Sequence, residues 1–276
     1  MAFSFDQLTR PGCVAVMGIL NVSPDSFYSG NRSSDPDAVM RVAEQMIEEG
    51  AQILDIGAES TRPGSKRISV EQELERLLPV VSKLTQRFKI PVSVDTYKAE
   101  VADAVLQEGV TVINDVTGLR NNPEMSDVVC QYGAGIILMH MKGTPESMQN
   151  NPEYKDVGVE VLKFLSESVK KAESAGIAPG SIAIDPGIGF GKTLNHNLEL
   201  IAGLGQLKEL NKKILLGVSR KSFIGKILDL EVEDRLEGSL AAGIAGVMSG
   251  ADILRVHDVS STVRAVKVAQ AIREVN

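Results

Sequence analysis

Two hydrophobic rhythms take turns along this chain. Short aliphatic, β-branched runs at residues 14–20, 52–57, 91–94, 111–113, 135–139, 182–185, 213–217 and 253–256 predict eight strands. Between them, apolar residues recur every third or fourth position. That spacing predicts helices over residues 37–50, 69–88, 99–107, 124–132, 157–175, 195–210, 221–228, 236–249 and 260–273. Gly50 and Gly176 read as helix stops, and Ser69 with Gln72 three residues on reads as a capping box. Residues 23–34 and 59–66, after the first two strands, are polar and rich in turn formers, which predicts two long mobile loops; residues 142–156 form a third polar connection.

Eight strand-then-helix units predict a (β/α)8 TIM barrel, one domain over residues 1–276. An open doubly wound sheet has the same alternation but uses a few adjacent strand tips at one switch point. Here nearly every strand ends in a group that can bind: Asn21, Asp55, Asp95, Asn114, His140, Asp185, Lys221 and Arg255. Such a distribution suits a closed ring whose tips face one mouth.

Composition narrows the partners. A chain 43% apolar and 24% charged can bury a sizeable core, and a formal net charge of −7 argues against nucleic acid as the main partner. No apolar run approaches the ~20 residues of a membrane span, and no signal-like segment opens the chain. Cys13 and Cys130 lie far apart and in no metal spacing, as expected of free thiols in a cytoplasmic protein.

The chemistry of the tips separates by charge. Asp95, Asn114 and Asp185 offer acceptors suited to a flat heterocycle that donates from adjacent nitrogens, with Met139, Phe190 and Ile113 as apolar walls. Ser219, Arg220, Lys221, Arg255 and His257 follow the last two strands, where barrels often hold phosphate. Asn21 is placed to help hold a divalent cation against a diphosphate. Lys192-Thr193 after three glycines imitates a phosphate loop, but Pro186 stands where that motif needs glycine. His196 reads as a helix-surface residue, and His140 as a residue that packs or orients a loop.

These residues fall in motifs that together resemble the dihydropteroate synthase family. The motifs are Met17-Gly-Ile-Leu-Asn-Val-Ser-Pro-Asp-Ser-Phe27, Glu59-Ser-Thr-Arg-Pro-Gly64, Ser93-Val-Asp-Thr96, Ile113-Asn-Asp115, Met139-His-Met141, Asp185-Pro-Gly-Ile-Gly-Phe-Gly191, Gly217-Val-Ser-Arg-Lys-Ser222 and Arg255-Val-His257. They run in order through essentially the whole chain. The resemblance implies a pterin-binding barrel that joins 6-hydroxymethyl-7,8-dihydropterin diphosphate to 4-aminobenzoate in folate synthesis, with Mg²⁺ as cofactor and sulfonamides as competitors of the aminobenzoate. It implies pterin contacts from Asp95, Asn114, Met139, Asp185, Phe190, Gly217 and Lys221. Asn21, Arg62, Arg255 and His257 would serve the diphosphate, with Mg²⁺ near Asn21. Phe27, Thr61, Pro63 and Ser222 would line the aminobenzoate pocket. The catalytic set would be Asn21, Arg62, Lys221 and Arg255, in a homodimer. Two positions depart from the family pattern: Ser29 stands where an acidic residue is usual, and Ala58 where the second loop usually has a second glycine. A pterin-dependent methyltransferase would share the carboxylates but needs no diphosphate grip, which favours the synthase.

Overall fold

The computed structural model describes residues 2–9, 13–22, 36–59, 65, 67–145 and 147–275; Phe27, Ser29, Thr61, Arg62 and Pro63 lie outside them. Eight strands follow in chain order: β1 (Ala15–Asn21), β2 (Ile53–Gly57), β3 (Val92–Asp95), β4 (Val112–Asp115), β5 (Gly135–Met139), β6 (Ile182–Asp185), β7 (Lys213–Leu216) and β8 (Ile253–Val256). Each pairs in parallel with the next, and β8 returns to β1, so the sheet closes into a barrel. The helices between them are α1 (Pro36–Glu48), α2 (Val70–Arg87), α3 (Ala99–Gln107), α4 (Met125–Tyr132), α5 (Val157–Ser174), α6 (Leu194–Ala202), α7 (Ser222–Leu228), α8 (Leu236–Met248) and α9 (Val259–Arg273).

Strand parity divides the side chains, because successive residues point to opposite faces. Val16, Leu54, Val94, Ile113, Ile136, Ile184 and Leu216 pack outward with the helices in one large core. The alternate set, Ala15, Met17, Ile53, Val112, Ile137, Ala183, Leu215 and Ile253, forms a separate core inside the ring. Phe5 joins that inner core and is wholly buried, so the N-terminal segment plugs the barrel floor. Phe3 meets Phe5 edge-on at 5.0 Å, and Ser181 donates to the Phe3 carbonyl. With the floor filled by apolar side chains, polar inward residues remain only toward the opposite, C-terminal ends of the strands.

Local signals explain the helix boundaries. Ser69 caps α2 reciprocally with Gln72, the Gln72 amide donating to Ser69 Oγ at 3.3 Å and the Ser69 amide donating to Gln72 Oε1 at 3.1 Å. One expectation is corrected. The continuous helix predicted over 195–210 breaks at Gly203, and Leu204–Leu210 winds as a 3-10 helix. Its three-residue period stacks Leu204 and Leu207 on one side, both buried, where a wider helix would splay them. Among the described residues no helix is long and apolar enough to cross a membrane.

Candidate active site

At the mouth, β2, β3 and β4 stand side by side, and their inward residues are polar. Asp55 pairs in register with Ser93, and Asp95 with Asn114. Arg255 reaches over from β8. Its Nε donates to Asp55 Oδ2 at 2.6 Å, and one terminal nitrogen donates to Asp95 Oδ2 at 3.1 Å. Asn114 Nδ2 donates to the same Asp55 oxygen at 3.2 Å. Asp55 is therefore the hub of this network, yet sequence reasoning placed it on its strand without giving it a task. The signal was present: a lone carboxylate in the run Ile53-Leu-Asp-Ile-Gly57, at the same inward parity as Ile53.

The network leaves atoms unpaired. Asp55 Oδ1, Asp95 Oδ1, Asn114 Oδ1 and Ser93 Oγ are buried and have no hydrogen-bond partner among the described residues. Three are pure acceptors, on three adjacent strands. Buried polar groups are nearly always satisfied, and each lapse costs about 1–3 kcal/mol. Clustered lapses mark a place where a ligand donates. Burial also raises the Asp95 pKa to about 7, the Asp55 charge adding to the effect and Arg255 opposing it.

Across the mouth, β6 delivers Asp185. Its Oδ1 accepts from the Gly187 amide at 2.7 Å, which ties the carboxylate to the turn that follows. Burial raises its pKa, against the pull of Lys221. Lys221 lies 4.4 Å from the centre of the Phe190 ring and donates to the Ile188 carbonyl. Burial lowers its pKa to about 8; the Arg255 charge acts in the same sense, while Asp185 and Asp95 oppose it. Asp185, Asp95, Arg255 and Lys221 thus share one electrostatic neighbourhood, and these four predicted tips converge, whereas His140 turns to Lys192 and Phe164 behind the β6 turn. Beside them Met139, Val116, Met141 and Met148 form a small apolar cluster with Phe190 and Tyr97. It supplies the wall expected of Met139 and Phe190. Ile113 is corrected: its parity turns it outward, into the core between sheet and helices. Gly217 follows β7, and a side chain there would meet Arg255 Cβ at 3.9 Å, so its absence keeps the space over Arg255 open.

The β7 and β8 loops meet through Ser219, whose Oγ accepts from the His257 amide at 3.2 Å and lies 3.0 Å from His257 Nδ1. Arg220, grouped from sequence with the phosphate-binding cations, is corrected. Its guanidinium grips Asp258 with two 2.8 Å bonds and donates to the carbonyls of Val232 and Glu233. It buttresses the two loops from behind. Ser222 opens α7 in an exposed position, and Asn21, half-buried, ends β1 opposite Gly57. The expected division of the tips into a carboxylate set and a cationic set also changes, because Arg255 is bonded to both Asp55 and Asp95 and bridges them.

A further polar cluster lies beside β2 and was missed. Lys98 Nζ donates to Glu59 at 2.6 Å, to Glu73 at 2.5 Å and to the Ile68 carbonyl at 2.9 Å, and Tyr97 donates to Glu59 at 2.9 Å. Glu59 and Ile68 bracket the second long loop, so this ion cluster fixes the separation of its two described ends. Its members come from four separate segments, and no spacing in the sequence joins them.

Comparison with known proteins agrees with this geometry. A family profile described as pterin binding enzyme matches residues 17–257. The dihydropteroate synthase of Escherichia coli strain K12 is 45% identical over 256 residues, covering 93% of this chain and 90% of that one. The crystal structure of Yersinia pestis dihydropteroate synthase with a sulfonamide drug complex superposes with a TM-score of 0.92 at 39% identity, covering 99% of this chain and 100% of that one. The Xanthomonas albilineans dihydropteroate synthase in complex with 7,8-dihydropteroate superposes with a TM-score of 0.84 at 40% identity, covering 96% and 94%. A barrel of this topology, a mouth of buried acceptors and identity at this level over nearly full length lead to one assignment: the chain belongs to the dihydropteroate synthase family of pterin-binding enzymes.

Proposed function

We propose that the chain is a transferase that condenses 6-hydroxymethyl-7,8-dihydropterin diphosphate with 4-aminobenzoate, giving 7,8-dihydropteroate and diphosphate. Beside the family, the observation that carries this reading is the arc of unpaired acceptors on Asp55, Asp95 and Asn114. A dihydropterin presents ring N–H and amino groups along one edge, and its flat ring suits the wall of Met139 and Phe190. Asp185, on the other side of the mouth, would take a second set of donors. Each matched pair relieves a desolvation cost that the free protein bears.

Chemistry follows from the charges. The methylene C–O bond breaks, and its electron pair leaves with the diphosphate. The positive charge left on the methylene delocalises into the pterin ring, and the aminobenzoate nitrogen attacks that carbon and then loses a proton. Lys221 and Arg255 are the cations placed to offset the leaving anion, with Ser219 and His257 presenting the joined β7 and β8 loops. Asn21 fits a site for Mg²⁺, which takes few protein ligands and fills its shell with water and substrate oxygens. Bound Mg²⁺ would neutralise charge on the leaving group. By their places in the motifs, Arg62 is assigned to the diphosphate, and Phe27, Thr61, Pro63 and Ser222 to the aminobenzoate, where sulfonamides would compete.

The α8–α9 side suits a second copy of the chain. Helix α8 carries one charge, Glu237 in its first turn, and is otherwise built of small or apolar residues and one serine; it buries only Ser239, Gly243, Gly246 and Val247, while Met248, with Val268 and Ile272 of α9, stands exposed. Such a face supports a homodimer, checked by sedimentation of the purified protein. The free thiols of Cys13 and Cys130 accord with a cytoplasmic setting.

The deciding experiment is a diphosphate-release assay with both substrates. Release that depends on the aminobenzoate and yields dihydropteroate supports the reading. Tight pterin binding with no turnover would reduce the chain to a pterin-binding module.

A further inference from the structure

The turn after β6 carries an unusual burden of side-chain contacts. All five carbonyls from Gly187 to Gly191 accept from a side chain: Gly187 and Phe190 from Lys192, Ile188 from Lys221, Gly189 from Gln149, and Gly191 from Tyr154. Its three glycines hold left-handed backbone, with φ of 68°, 84° and 65° at Gly187, Gly189 and Gly191. A side chain on Gly187 would come within 1.9 Å of the His140 carbonyl. The glycines permit this path, and something must select it from the many that glycine allows.

Lys192 is the residue built to do so. It is 2% exposed, and the partners of its side-chain nitrogen are carbonyls and an imidazole. That nitrogen meets four acceptors at hydrogen-bonding distance: the Gly187 carbonyl at 2.9 Å, the Phe190 carbonyl at 3.0 Å, His140 Nδ1 at 2.9 Å and the His140 carbonyl at 3.4 Å. His140 is suited to accept, because burial first, and then the Lys192 charge, push its pKa down to about 2 and leave the ring neutral. Its ring stacks edge-on against Phe164 at 5.0 Å, which holds the acceptor in place. Burial pushes the Lys192 amine well below its ordinary pKa, against the pull of Asp185, so placing a lysine here is costly. An apolar residue would fill the same volume at lower cost, so the amine is explained by what it holds.

We propose that Lys192 is a positioning residue of the active site, gathering the β6 turn so that the Ile188 carbonyl and the Phe190 ring face Lys221. It does not reach the substrate itself. It sets the backbone against which Lys221 rests and places the aromatic wall of the ring pocket.

The inference rests on the proposed function, and the test separates the two. Full-length wild type, Lys192→Met and His140→Phe are compared for binding of dihydropterin diphosphate between pH 6 and 10, with folding followed by circular dichroism and urea titration. If wild type binds no pterin ligand, the functional reading fails. If wild type binds, Lys192→Met is expected to lose about tenfold or more in affinity per folded molecule. Its alkaline limb, set in wild type near pH 8 by Lys221 among Asp185, Asp95 and Arg255, is expected to move downward, because Lys221 loses the Ile188 carbonyl and the Phe190 ring face that favour its charged form. Lower stability with wild-type affinity and an unmoved limb would overturn the positioning role and leave the functional reading intact. Should Lys192→Met not fold, His140→Phe keeps the stack on Phe164 and removes one acceptor. An affinity loss of about threefold is then expected, and unchanged affinity overturns the proposal.

Discussion

At the scale of single residues, the mouth is governed by carboxylates whose partners are unequally supplied. Asp185 has one oxygen tied to the Gly187 amide, so its orientation is fixed before any ligand arrives. Replacing it with Asn keeps the shape but offers a donor where the ligand also donates. Asp185→Asn is expected to weaken pterin binding by about 2–4 kcal/mol in calorimetry, from mismatched buried hydrogen bonds and a lost charge. Arg255 has a second role beside the one its charge alone implies. Reading the tips by charge assigns it to the diphosphate, yet its guanidinium holds Asp55 and Asp95 in place. Arg255→Ala is therefore expected to weaken free pterin as well as its diphosphate, each by more than about tenfold, since two buried carboxylates lose their cation. Loss confined to the diphosphate form would return Arg255 to the simpler role. The same residues set a pH profile. The free site holds a proton on Asp95 below about pH 7, and a donating ligand must expel it. Affinity should then fall as pH drops through 7, by up to about tenfold per unit. Above about pH 8 Lys221 loses its charge, and affinity for the diphosphate should fall again. Free pterin, lacking the anion, should show the acid limb and a shallower alkaline limb from the contact of Lys221 with the ring, once its own ionisations are allowed for.

At the scale of elements, what was legible in the sequence was whatever depends on neighbours along the chain. The capping box at Ser69 and Gln72, the stop at Gly50 and the strand tips are local signals, and they place the structure they announce. The break at Gly203 was not legible, because helix spacing and the 3-10 spacing of Leu204 and Leu207 overlap within so short a run. Illegible for another reason was the lysine cluster. Lys98 joins Glu59 after β2, Glu73 in α2 and the Ile68 carbonyl, and nothing in a one-dimensional pattern predicts that these meet. Both carboxylates are buried, and burial raises the pKa of Glu73 against the pull of Lys98. Removing the cation would leave two like charges facing each other. Lys98→Met should cost about 3–5 kcal/mol in urea denaturation. A loss under about 1 kcal/mol would show that the carboxylates find other partners or protonate at little cost.

At the scale of the whole molecule, the parity of eight strands separates a dry floor from a polar mouth. That separation explains why the closed ring could be read from the chain: a polar residue at nearly every strand end has no use in a sheet with open edges. It also explains the error at Ile113, which neighbours Asn114 in sequence but faces the helices, because a step of one residue crosses the sheet. The floor gives a test of how independent the two ends are. Phe5 is wholly buried in the inner core with Met17, Ile53, Ile137 and Leu215, on the N-terminal side of the strand positions that carry the unpaired acceptors. Truncating it removes a large apolar side chain and opens the inner core at its base. Phe5→Ala should destabilise the fold by about 3–5 kcal/mol. Because the mouth is held by its own network of Asp55, Asn114 and Arg255, pterin affinity per folded molecule should stay within about twofold of wild type. Calorimetry well below the melting transition measures the affinity and denaturant titration the stability. Were affinity to fall in step with stability, floor and mouth would be one cooperative unit, and the preorganisation attributed to the hydrogen bonds of the rim would belong to the packing beneath it.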